Sequence, residues 1–188
     1  TKKALYEVSG HWEKFGDELF LVKSQETKDE LVMKPMNCPH HAQIYAAKPH
    51  SYREMTQRYA ETTMVYRDEQ SGELGGLTRV LSITQDDAHV YCQMTQAKEE
   101  FLKVWDIVQE FYKAFGFSLR VRLSLHDSKE PEKYLGDEKL WEKAQDSILK
   151  LAQKNKLNYF EAIGEAAFYG PKIDYMAIDA IGREWQVA

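Results

Sequence analysis

The sequence predicts an α+β fold, an antiparallel sheet flanked by helices, and three observations predict it. Two strand-like runs, 65–69 and 79–89, are joined by a polar, glycine-bearing loop, within a hairpin of about Thr63 to Cys92. A second hairpin runs from Lys172 to Val187 and turns near Ile181-Gly182. Long amphipathic segments lie between them: Thr95 to Phe115 repeats Phe101, Leu102, Trp105, Val108, Phe111 and Tyr112 at helical spacing, and Asp137 to Asn155 is another. Hairpins with intervening helices give an antiparallel sheet with helices packed on it. The 188 residues suffice for one sizeable core or two small ones.

The remaining elements follow in order. Lys2 to Val8 is helical in pattern and stops at Ser9-Gly10. Leu19 to Lys23 and Glu30 to Lys34 read as short strands with a polar turn between them. Pro35 to Pro39 reads as a loop, because two prolines four apart break any regular element. Pro39 then suits the first position of a helix to about Ala47. Ser51 and Glu54 have the spacing of a capping box and predict another helix. Gly116 ends the long helix, Ser118 to Leu125 alternates like a strand, and Tyr159 to Ala162 reads as one more.

Composition narrows the class. Hydrophobic residues are 43% and charged residues 29%, as in a soluble globular domain. With net charge −5, no global basic field advertises a nucleic-acid partner, although a local basic patch would suffice for one. Two cysteines, Cys38 and Cys92, do not make a disulfide framework and point to a reducing compartment, hence the cytoplasm. No apolar run reaches transmembrane length, so no membrane partner is expected, and no signal-peptide core follows Thr1. Thr1 is not an initiator methionine, so the chain is expected to be a piece of something longer.

Four constellations carry chemistry. Strand residues two apart share a face, so Arg67 and Glu69 point together, as do Gln85, Asp87 and His89. Guanidinium forks suit phosphate oxygens and a carboxylate accepts from an exocyclic amine, so Arg67, Glu69 and Arg79 suit a nucleoside triphosphate. The same set also reads as an ordinary cross-strand ion-pair ladder. No Walker-type glycine–lysine loop occurs. Cys38 precedes a helix N-terminus, and with His40, His41 and His89 forms a zinc-type set of donors. The 51-residue separation of Cys38 and His89 matches no zinc-finger spacing, and the alternative is a buried structural thiol with His40 and His41 on a solvated helix face. In Phe168 to Asp174, Gly-Pro turns the chain and delivers Tyr169 and Lys172 to the mouth of a strand, or simply makes a solvated turn. His11, beside Trp12, reads first as structural.

These pieces occur together in one family. Met36-Asn37-Cys38-Pro39-His40-His41, Tyr66 to Leu74, Gln85-Asp86-Asp87-Ala88-His89 and Ala167 to Asp174 closely resemble threonyl-tRNA synthetase, in order, from Leu5 to Gln186. The Arg-x-Glu element alone indicates only a class II aminoacyl-tRNA synthetase; the Asn-Cys-Pro and Asp-Asp-Ala-His elements are the specific ones. The resemblance implies the class II fold, truncated at both ends, so that residues 1–188 are a partial catalytic domain. It implies two steps: threonine and ATP give threonyl-adenylate and pyrophosphate, then the aminoacyl group moves to tRNA(Thr). Residue by residue it assigns Arg67 to the α-phosphate, Glu69 to the adenine amino group, Arg79 to the distal phosphates and Gln186 to the ATP side. Met36, Gln85, Asp87 and Tyr169 would line the threonine pocket, with Asp87 accepting from the hydroxyl; Lys172 would join them as a catalytic lysine. Cys38 and His89 would be two of three zinc ligands, Mg²⁺ would accompany ATP, and His11 falls where the family has a histidine near the terminal ribose of tRNA. The full-length family is homodimeric.

The chain also departs from the pattern. Ile83 stands where the family stacks a phenylalanine on adenine, and Leu81 where a basic residue is common. By the resemblance, the third zinc histidine, the last glycine-rich motif with its arginine, and the anticodon-binding domain lie beyond Ala188, and the first motif begins before Thr1. The isolated 188 residues are therefore expected to be inactive or nearly so, and to bind zinc weakly. A truncated binding or regulatory module without ligase activity is the alternative, and a purely structural zinc protein is a third reading.

Overall fold

The computed structural model describes residues 1–188, which divide into two units, Thr1–Gln96 and Ala97–Ala188. Two small cores, rather than one large one, are thus the outcome. No helix is long and apolar enough to cross a membrane.

In the first unit, α1 (Ala4–Val8) and α2 (His11–Phe15) are separated by Gly10, whose φ of 75° only glycine adopts freely. The sequence pattern gave no sign of α2. Strands β1 (Leu21–Lys23) and β2 (Glu30–Val32) pair antiparallel, with Leu21 opposite Val32. Their core is Tyr6, Leu19 and Val32, with Trp12 and Met36 packed against it. Helix α3 spans Cys38–Ala46, one residue earlier than its proline indicates; Asn37 is its N-cap and Pro39 lies in its first turn. The Ser51/Glu54 capping box forms, yet it closes only a single 3₁₀ turn, Tyr52–Glu54, because Met55 is already extended.

The main hairpin pairs β3 (Gln57–Tyr66) with β4 (Ser82–Tyr91) through all ten rungs, from Gln57 opposite Tyr91 to Tyr66 opposite Ser82. It starts earlier than expected, and Arg67, Glu69 and Arg79 lie outside its strands. The cause is visible in the backbone. Arg67 N still bonds Leu81 O at 2.9 Å, but Asp68 N turns away to Glu18 O at 2.9 Å, so the ladder ends there.

The second unit is a four-stranded sheet in the order β6-β5-β7-β8, built from β5 (Leu119–Leu125), β6 (Tyr159–Ile163), β7 (Lys172–Ile178) and β8 (Glu184–Gln186). The pairs β5–β7 and β7–β8 are antiparallel, as expected, while β5 and β6 run parallel, with Val121 opposite Tyr159. Helix α5 (Glu138–Lys154) lies between them in the chain, and its 17 residues return the chain about 25 Å to the start of β5, as a parallel pair requires. Asp137 caps α5 by accepting from Lys139 N at 2.8 Å, and Asn155 closes it by donating to Leu151 O at 2.8 Å. Helix α4 (Ala97–Ala114) is followed by Gly116 at φ 75°. The core is Val121, Leu123, Ala152 and Tyr175, with Trp105 and Val108 of α4 packed on it. Ile107 and Phe111 on the same helix, and Phe115 just past its end, are exposed.

Burial pushes the phenols of Tyr6 and Tyr175 up to about 12. A free phenol titrates near 10, so between pH 10 and 12 the unfolded chain sheds protons that the folded chain keeps. Stability is therefore expected to fall as pH rises through that window, by on the order of 2 kcal/mol per phenol. Urea unfolding at pH 9 to 11 with tyrosinate absorbance checks this; two phenols that ionise near pH 10 without loss of structure would contradict it.

Candidate functional site

The hairpin has two unlike faces because strand side chains alternate. Arg58, Ala60, Thr62 and Met64 are exposed, and Thr62 Oγ1 donates to Asp86 Oδ1 on that side. On the other face Tyr59, Glu61 and Thr63 stand opposite His89, Asp87 and Gln85. Residues Lys34–Asn37 and the start of α3 come onto this second face. Lys34 Nζ donates to Thr63 Oγ1 at 2.9 Å and lies 3.3 Å from Glu61 Oε1. Asn37, fully buried, donates from Nδ2 to Asp87 Oδ2 at 2.9 Å. His41 Nδ1 is 2.8 Å from His89 Nδ1, with the rings edge-on at 4.8 Å.

So Asp87 and His89 are brought to one place, as their alternation predicts, with Gln85 further along the strand and exposed. Cys38, the first residue of α3, is half-buried; burial first, and then the Asp87 carboxylate, push its thiol up, while the Arg67 guanidinium acts in the opposite direction. Burial holds His89 below the ordinary imidazole value, His41 adds to that, and Asp87 opposes it. His41 is only 4% exposed, so a solvated face for it is corrected. Asn37 O accepts from both His40 N and His41 N at 3.0 Å, which winds α3 tightly and sets His41 one turn above Asn37, on the covered side. His40 instead meets Thr1, Nε2 to Oγ1 at 3.0 Å.

The triphosphate candidates lie in the connection between β3 and β4. Arg79 donates from Nε and Nη2 to Glu69 Oε2 at 2.9 and 2.6 Å, and from Nη2 to Glu73 Oε2 at 3.1 Å. Glu69 and Arg79 are thus an ion pair, but a loop clamp and not a rung of a strand ladder. Arg67 is exposed. His11 opens α2, is buried, and lies 2.9 Å from Ser9 Oγ through Nδ1; burial lowers its pKa. Met36 packs against the Tyr6–Leu19–Val32 core. A concavity ringed by Lys3, Trp12, Leu21 and Lys28 shares no residue with this set.

In the second unit Lys172 and Gln186 meet on one buried carboxylate, Asp174, which is 3% exposed. Asp174 Oδ1 is 3.4 Å from Lys172 Nζ and accepts from Gln186 Nε2 at 3.3 Å. Asp174 Oδ2 accepts from Arg122 Nε at 3.0 Å and from Ser124 Oγ at 2.6 Å, and Arg122 Nη2 donates to Gln186 Oε1 at 2.8 Å. Tyr169 lies exposed in the connection before β7. Sequence reasoning gave no role to Asn37, Arg122, Ser124 and Asp174, and weighed His41 only as a zinc-type donor or a solvated residue. For Arg122, Ser124 and Asp174 a signal existed: Arg122/Ser124 and Lys172/Asp174 are polar pairs two apart within apolar strands, a pattern of one polar face.

A thiol and an imidazole are the donor chemistry that zinc takes, and Cys38 and His89 supply it. No three His, Cys, Asp or Glu side chains of the chain are grouped to hold a metal ion.

Residues 20–188 match the family model described as tRNA synthetase class II core domain (G, H, P, S and T). The chain is 48% identical over 187 residues to the threonine–tRNA ligase of Cytophaga hutchinsonii, covering 98% of this chain and 29% of that protein. It is 48% identical over 188 residues to the same-named protein of Flavobacterium psychrophilum, covering 99% of this chain and again 29% of that one. The crystal structure titled as the RNA binding domain of threonyl-tRNA synthetase from Cryptosporidium parvum superimposes with a TM-score of 0.89 at 35% identity, over 99% of this chain and 45% of that one. The chain spans less than a third of the length of the curated relatives it matches. With its fold and these matches taken together, the chain belongs to the class II tRNA synthetase core domain family (G, H, P, S and T) and is similar over nearly its whole length to threonine–tRNA ligases.

Proposed function

We propose that residues 1–188 form the central part of the catalytic domain of a threonine–tRNA ligase, which activates L-threonine with ATP and Mg²⁺, releases pyrophosphate, and transfers the aminoacyl group to tRNA(Thr). One observation carries this beyond family membership: Asn37 and His41 converge on Asp87 and His89, so the two threonine-side residues of β4 are held in place beside Cys38. In this reading Asp87 accepts from the substrate hydroxyl and Gln85 and Met36 bound the pocket in the first unit, while Tyr169 of the second unit is assigned to threonine by the family resemblance. Arg67 neutralises the α-phosphate and the substrate carboxylate, Glu69 accepts from the adenine amine, and Arg79 serves the distal phosphates. Since Glu69 and Glu73 already hold Arg79, phosphate oxygens replace a carboxylate partner there and not water. Lys172 and Gln186, both on Asp174, supply donors toward phosphate or carboxylate. His11 serves near the tRNA ribose. Adenylate formation needs in-line placement and charge neutralisation more than covalent help.

Selectivity is the harder task. Valine and threonine are nearly isosteric, and an apolar pocket separates such pairs by only about 100-fold. Zinc, when held by Cys38, His89 and a ligand from the rest of the enzyme, supplies a Lewis acid with places for the amino and hydroxyl groups of threonine. Asp87 adds an acceptor that valine leaves unpaired. The full-length enzyme is taken to be a cytoplasmic homodimer.

The test is threonine-dependent ATP–pyrophosphate exchange. The full-length enzyme is expected to catalyse it and to prefer threonine to valine. The isolated 188 residues are expected to give at most a trace. Robust exchange by the 188 residues alone would overturn the view of them as an incomplete site, and no exchange by the full-length enzyme would overturn the ligase reading.

A further inference from the structure

We infer that Asn37 and His41 are positioning residues for ligand recognition: from one helical turn they hold Asp87 and His89, fixing the direction of the Asp87 carboxylate and the tautomer of His89. This rests on the roles of Asp87 and His89 proposed above. The match is one of pitch. Four residues of helix advance about 6 Å, and two residues of strand advance about 6.6 Å. Asn37 and His41, four apart at the start of α3, therefore meet Asp87 and His89, two apart on β4.

Asn37 is placed for what it holds. An N-cap asparagine ordinarily accepts a backbone N–H with its side-chain oxygen. Here the side chain makes no capping bond. Its Nδ2 goes to Asp87, and its buried Oδ1 has no hydrogen-bond partner. A buried amide that leaves one atom unpaired and the helix end uncapped is kept by the bond it does make. That bond engages Oδ2 of Asp87 and leaves Oδ1 for a ligand.

His41 sets a proton. Its Nε2 lies 3.8 Å from Glu61 Oε1, and the same oxygen is 3.3 Å from Lys34 Nζ. The carboxylate favours the proton on His41 Nε2, which makes Nδ1 an acceptor. The 2.8 Å contact then has His89 Nδ1–H donating to His41 Nδ1. His89 is left with a bare lone pair on Nε2, the form a metal ligand needs.

The experiment uses the full-length enzyme with cobalt(II) in place of zinc, since bound cobalt reports its ligands in the visible spectrum. His41→Leu is expected to weaken cobalt binding about 10- to 100-fold, read by competition with a chromophoric chelator, and to alter the d–d bands. His41→Asn keeps an acceptor at the Nδ1 position and is expected to restore both; His41→Gln, which carries its amide at the Nε2 position, is not. Asn37→Asp keeps a good N-cap but turns a donor into a second carboxylate against Asp87. It is expected to lower the threonine-over-valine ratio of kcat/KM at least tenfold with metal content unchanged. Equal cobalt affinity and spectra for the Asn and Gln variants, or an unchanged ratio in Asn37→Asp, overturns the inference. Parent enzyme that neither binds metal nor activates threonine overturns the ligase reading instead, and the inference with it.

Discussion

Asp87→Ala is expected to erase most of the preference for threonine over valine, bringing the ratio of kcat/KM values down toward the about 100-fold that an apolar pocket gives. A site built around a substrate hydroxyl rejects the analogue without it by about 10⁴- to 10⁵-fold, because its polar groups are then buried unpaired. Asp87 is the acceptor with an oxygen to offer, since Asn37 occupies only Oδ2 and Oδ1 lies 3.9 Å from His89 Nδ1. The expected loss is thus about 100-fold or more in discrimination. The same change strands Nδ2 of the buried Asn37, for a stability loss of about 1–3 kcal/mol. Exchange assays with both amino acids, beside a thermal midpoint, separate the two effects. A folded Asp87→Ala enzyme with undiminished preference for threonine would show that another group reads the hydroxyl.

Asp174→Ala is expected to lower stability by about 3 kcal/mol. The carboxylate gathers Arg122, Ser124, Lys172 and Gln186 on the polar face of the second sheet. Removing it leaves a buried Ser124 hydroxyl without its acceptor and a largely covered guanidinium without its counter-charge. The side chains of Arg122 and Lys172 keep 19% and 33% exposure, which lets water recover part of the loss and sets the figure at the low end of the range for a broken buried pair. Lys172→Ala, which leaves the Arg122–Asp174 pair intact, is expected to lose less than about 1 kcal/mol. Urea unfolding of the 188-residue chain distinguishes them; equal stabilities for the two variants would remove Asp174 from its place at the centre of this network. Lys172 and Gln186 are also expected to lose their alignment in Asp174→Ala, so activity of the full-length enzyme falls with stability.

The long helices, the two hairpins and the α+β class were legible because amphipathic period and turn residues are local properties. Thr95 to Phe115 announces α4 within two residues, and Asp137 both predicts and caps α5. One misjudgement and one omission have a common origin in pairing. The parallel β5–β6 pair cannot be read from either strand, because direction is set by the α5 crossover. The departure of Arg67 and Glu69 from the strand depends on Glu18, some fifty residues earlier, whose carbonyl draws Asp68 N away. The box at Ser51 is real, but no apolar period follows it to extend a helix.

The site divides along the same line. Alternation along β4 alone put Asp87 and His89 on one face, and the Asn-Cys-Pro element marked Cys38, because strand geometry and motif chemistry are written in consecutive residues. What covers that face was not written there. Asn37 holding Asp87 spans 50 residues, His41 meeting His89 spans 48, and Arg122 meeting Asp174 spans 52. The sequence by itself determined which donors this protein has and which of them share a strand face. Only the tertiary structure decided which buried neighbours fix their direction, since a hydrogen bond between distant residues exists only once both elements are packed and water has been displaced from between them.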